Sequence, residues 1–111
     1  MIAAVASLRA QIEAVDEQLV GLIAERLTLA RAIGRAKCLA GEPVTDPARE
    51  AAVVARASAL AREAGVPEDE IRALYWRLLA MSRRAQLAEV EEDGARLGGE
   101  NQGQKSRGQS T

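Results

Sequence analysis

Between Ala4 and Leu39 the apolar residues fall at Leu8, Ile12, Val15, Leu19 and Leu22, then at Leu29, Ile33 and Ala36, stepping by four and three. This spacing keeps one side of a helix apolar and predicts a single long amphipathic helix. At about 1.5 Å per residue such a rod spans roughly 50 Å, wider than a small domain, so the pattern asks for a second chain to cover it. Gly41 and Pro43 stop the rod. Asp46 followed by Pro47 starts another helix: the carboxylate accepts from the free N–H groups of a first turn, where a proline lacks an N–H that would go unused. This second helix is predicted to run to about Ala64, with Gly65 suited to a left-handed cap. Pro67 and the acids Glu68, Asp69 and Glu70 open a third helix, which carries Ile71, Leu74, Tyr75 and Leu78 and is expected to end near Glu92. Beyond it "DGARLGGENQGQKSRGQST" shows no period. The expected organisation is a helical domain over residues 1–93 and a disordered polar tail over 94–111. The predicted fold class is all-α, with three helices per subunit.

Composition narrows the chemistry. The chain has 111 residues, 48% of them apolar but with no Phe, one Trp and one Tyr, which suits close-packed helices. Fifteen basic against sixteen acidic residues give a net charge of −1, so no overall field draws it to nucleic acid or to a membrane surface. With one cysteine and no histidine, a metal site has almost no ligands. No cofactor is expected. The segment "MIAAVASLRAQIEAVDEQ" has no basic start and breaks its apolar run at Arg9, which predicts a cytoplasmic protein without a signal peptide.

Some charges interrupt the pattern. The step after Leu22 falls on Arg26, a cation where an apolar residue is due. Lys37 lies eleven residues further, within about 20° of the same face and roughly 16 Å along the axis. Ala30 and Ile33 leave space between them, so the two cations bracket a pocket for a compact dianion. Arg9 is about 25 Å from Arg26 and cannot reach that pocket from its own helix, although an antiparallel copy from a second chain could deliver it. On the third helix the stripe of Tyr75 and Leu78 continues into Ser82 and Gln86, neutral hydrogen-bonding groups on the same face. Singly, each has a plainer reading. Arg26 can be a register device, Asp46 an N-cap, and Arg49 and Glu50 surface charges of a first turn. Cys38 reads as a small hydrophobe, and Arg83 and Arg84 as solvated.

The combination is more specific. "LRAQIEAVDEQLVGLIAERLTLARAIGRAK", then "PVTDPARE", then "SRRAQ" resembles the helical, type II chorismate mutase family over about residues 5 to 90. The resemblance implies an intertwined homodimer of three-helix subunits, six helices in all, whose active sites are lined by both chains. It further implies that Arg9 of the partner subunit, with Arg26, Lys37 and Arg49, encloses the two carboxylates of chorismate. Lys37 and Gln86 would donate to the ether oxygen of the breaking bond. Glu50 and the backbone near Asp46 would hold the ring hydroxyl, and Ser82 would line the site near a carboxylate. Lys37, Gln86, Arg26 and Glu50 are thus the expected catalytic set. An isochorismate pyruvate lyase and a 4-amino-4-deoxychorismate mutase remain alternatives from the same fold. From another class, a non-catalytic regulatory dimer could bind the same metabolites. Association with another aromatic-pathway enzyme is left open.

Overall fold

The computed structural model of the chain describes the backbone of residues 2–109 and the side chains of residues 2–92. Three helices account for it: α1 (Ile2–Ala40), α2 (Pro47–Ala64) and α3 (Glu68–Gln109), with no strand among the described residues. The ends are set by the residues that the sequence marks. Gly41 takes a positive φ of 69°, and the N–H groups of Gly41 and Glu42 close back onto the carbonyls of Cys38 and Lys37. Asp46 caps α2, its Oδ1 accepting from the Arg49 N–H at 3.0 Å, with Pro47 in the first turn. Gly65 ends α2 in the left-handed region at φ 73°. A side chain at either glycine would strain the backbone, so both helices stop where they do.

α3 departs from expectation. It continues as helical backbone to Gln109 rather than ending near Glu92. No proline follows Pro67, so no N–H is missing from the ladder and glycine alone does not terminate it. The polar tail expected over 94–111 lies outside the residues whose side chains are described.

α3 packs against both other helices, whereas α1 and α2 do not pack on each other. Contacts pair Arg26 with Ser82 and Arg35 with Glu89, so α1 and α3 run in the same direction. Those of Ser58 with Glu68 and Glu50 with Arg83 show that α2 runs back along α3. The buried apolar residues are few and mostly small: Ala30, Val54, Ala57, Ala61 and Leu79. Gly34 is buried as well. A Cβ there would stand 2.9 Å from the Gln86 carbonyl oxygen, so only glycine allows α1 this close to α3.

The face of α1 that meets α3 is not the stripe that the spacing singled out. Ile23, Leu27, Ala30 and Gly34 turn inward. Leu8, Ile12, Val15, Leu19, Leu22, Leu29 and Ile33 lie about 80° round the helix and stay open, with Leu8 59% and Leu22 64% exposed. Residues 2–22 of α1 are exposed throughout. The radius of gyration is 20.9 Å, against about 13 Å for a compact chain of this length. No described helix is long and apolar enough to cross a membrane.

Candidate functional site

Because α1 and α2 lie on α3 without packing on each other, a cleft opens between them with α3 as its floor. It measures roughly 380 Å³, within the range of about 300–1,000 Å³ usual for small-molecule sites. α1 contributes Arg26, Leu29, Ala30, Ile33 and Lys37; the α1–α2 junction contributes Asp46. α2 adds Arg49 and Val53, and α3 adds Ser82 and Gln86. Six of the eight residues singled out in the sequence therefore meet in one space. Leu29 and Val53 are additions, and Val53 was legible as the position one turn after Arg49.

Each polar group is held by its helix. Arg26 reaches across to α3, where its Nη1 donates to Ser82 Oγ at 2.5 Å and its guanidinium carbon lies 5.9 Å from the centre of the Tyr75 ring. Ser82 is 4% exposed, so this hydroxyl is fixed in place. Lys37 donates from Nζ to the Val44 carbonyl at 3.0 Å, which ties the last turn of α1 to the loop leading into α2. Arg49 stands in the first turn of α2, beside the cap made by Asp46. Gln86 carries a side-chain oxygen that is buried without a hydrogen-bond partner. Leaving a buried acceptor unsatisfied costs about 1–3 kcal/mol, so this amide is placed at some cost to stability.

Among the described residues none of Arg26, Lys37 and Arg49 forms an ion pair. Three cations less the one carboxylate of Asp46 leave the cleft lining at a net +2. Arg26 and Lys37 are half-buried and Arg49 is exposed. Cations without protein counterions, around a space of this size, suit a small organic dianion.

Two expected residues lie elsewhere. Arg9 is exposed near the start of α1, outside the cleft of its own chain. Glu50 is not among the residues lining the cleft; it stands at the cleft's edge beside Arg49, and Arg83 grips its carboxylate: Nε donates to Oε2 at 3.1 Å and Nη2 to Oε1 at 2.5 Å. The expectation of a solvated Arg83 is corrected by this pairing. Its cause is the antiparallel run of α2 along α3, which brings together residues whose separation in sequence carries no periodic signal. Hydrogen bonding from Arg83 to Glu50, reinforced by their opposite charges, holds the guanidinium above its ordinary pKa.

Comparison with known proteins places this arrangement. Residues 8–87 match the family described as Chorismate mutase type II. The chain is 38% identical over 82 residues to the T-protein of Enterobacter agglomerans, covering 74% of this chain but only 22% of that much longer protein. It is 32% identical over 92 residues to the Chorismate mutase of Methanocaldococcus jannaschii, covering 83% of this chain and 93% of that protein.

Proposed function

Because the chain belongs to the type II chorismate mutase family, isomerases of aromatic amino acid biosynthesis that convert chorismate to prephenate, we propose that the cleft between α1 and α2 is where this chain carries out that rearrangement. The observation that carries the reading is the convergence of Arg26, Lys37, Arg49, Ser82 and Gln86 on one space, where none of the cations forms an ion pair among the described residues.

In this reaction a C–O bond breaks while a C–C bond forms within one molecule. It needs neither a nucleophile nor a proton relay. What limits it is the rarity of the folded conformer, with the enolpyruvyl group over the ring, and the negative charge that builds on the ether oxygen. Arg26 and Arg49 hold carboxylates and fix that conformer. Lys37 and the Gln86 amide donate to the ether oxygen, more strongly as its charge grows, which is how binding becomes catalysis. Glu50 accepts from the ring hydroxyl, assisted by the backbone near Asp46, and Ser82 keeps Arg26 aimed.

The functional unit is an intertwined homodimer in which Arg9 of the partner subunit completes the cationic cage. The uncovered stripe on α1 supports this, because a rod whose Leu8, Ile12 and Leu22 face water gains little from its own chain. The unit comprises residues 1–93, followed by the polar segment 94–111. The biosynthetic family supports a cytoplasmic location. The matching stretch of the T-protein sits within a much longer chain, which supports a role beside another enzyme of the pathway. Incubation with chorismate is expected to remove its ultraviolet absorbance and yield a product that acid converts to phenylpyruvate. Persistence of chorismate, or release of pyruvate from isochorismate instead, would overturn the assignment.

A further inference from the structure

The Glu50–Arg83 pair borders the cleft without being part of its lining. Glu50 directly follows Arg49, and Arg83 directly follows Ser82; both preceding residues face the cleft. The pair thus stands where the α2 wall meets the α3 floor. The Glu50 side chain is 16% exposed and that of Arg83 37%, so the carboxylate is the more enclosed partner. Two donors from one guanidinium fix its plane. A carboxylate has about four acceptor positions, so Glu50 can take a further bond from a ligand without releasing Arg83.

Charge decides which ligand group that is. A lone carboxylate at the cleft edge would attract a cation. A carboxylate neutralised by a guanidinium accepts from a neutral donor, and the nearby positive charge repels an ammonium. We propose that Arg83 is a specificity-determining residue, acting through Glu50 to favour a neutral hydroxyl over a charged ammonium on the substrate ring. This rests on the functional reading above. A purely structural ion pair would tie α2 to α3 equally well, but it would not make ring-substituent preference follow the charge of the pair.

The test uses the full chain turning over chorismate, with 4-amino-4-deoxychorismate added as competitor. Its readout is the inhibition constant of the amino compound divided by the KM for chorismate, a ratio in which general loss of folded enzyme cancels. Arg83→Gln leaves a net negative pair, and the ratio is expected to fall about three- to tenfold, the effect of one partly screened charge. Glu50→Gln leaves a net positive one, and the ratio is expected to rise. Arg83→Lys, and the double variant carrying both glutamines, should return toward wild type. If Arg83→Gln does not fold, the rise in Glu50→Gln still tests the idea. A ratio that stays constant, or moves in the same direction in both single variants, overturns the role of Arg83. A wild-type protein that leaves chorismate untouched overturns the proposed function instead.

Discussion

At the scale of residues, the proposed catalysis depends on a few donors placed around an open cleft. Lys37 is held at the end of α1 by its bond to the Val44 carbonyl. Its replacement by alanine removes the donor proposed above to strengthen its contact in the transition state. Lys37→Ala is expected to lower kcat by about 100- to 10,000-fold, with a smaller change in KM, as for other donors to a developing oxyanion. Steady-state kinetics check this; a change confined to KM would remove Lys37 from the chemistry. Gln86 bears on pH. A neutral amide donates at any pH and the chain has no histidine, so kcat/KM should be nearly flat from about pH 6 to 8. In Gln86→Glu the donor must be a protonated carboxyl, and the profile should instead rise toward acid; a steep wild-type limb between pH 6 and 8 would contradict this assignment. Arg26 and Lys37 were legible because eleven residues bring a helix back to the same face. The partnership of Glu50 with Arg83 was not, since it depends on how two helices meet.

At the scale of elements, helix ends were readable and packing faces were not. Gly41, Asp46, Pro47 and Gly65 act locally, through backbone conformation and missing or satisfied N–H groups. Which side of α1 meets α3 is decided by the small residues Ala30 and Gly34, and the end of α3 has no comparable local signal. The corner between α2 and α3 illustrates a contact set absent from the sequence reading. Buried Ser58 donates to Glu68 Oε1 at 3.0 Å and accepts from Arg72 Nη1 at 2.8 Å, and Arg62 Nη2 donates to the same Glu68 oxygen at 2.8 Å. Arg72 also pairs with Asp69. The Arg62 bond, then the Ser58 bond, lower the pKa of Glu68 below its ordinary 4.5. A carboxylate whose pKa is depressed on folding stabilises the fold above its unfolded value and loses that contribution as pH falls through the folded one. Glu68→Gln should therefore lower the unfolding midpoint at pH 7, and this loss should shrink as pH falls through the depressed folded-state value of the wild-type carboxylate. Chemical denaturation across a series of falling pH values checks this; a loss that stays constant with pH would assign the effect to packing.

At the scale of the whole molecule, one chain leaves much of its first helix uncovered. The first half of α1 stands clear of its own subunit with its apolar stripe uncovered, and Arg9 lies about 25 Å along the helix from Arg26. Both observations are accounted for if a second α1, running antiparallel, covers the stripe and carries its arginine to the opposite cleft. The length and spacing of the first helix already point toward such a partner, because an amphipathic rod longer than its domain cannot bury its stripe on its own chain. Co-refolding Arg9→Ala chains with Arg26→Ala chains tests it most directly. Each variant alone should be nearly inactive, as every site lacks one of the two arginines. In a mixed dimer one site receives both mutations and the other neither. Random pairing of equal amounts makes half of the dimers mixed, so chorismate mutase activity should recover to about a quarter of wild type. Activity no greater than the sum of the two parents, from dimers shown to have exchanged subunits, would contradict a site shared between chains.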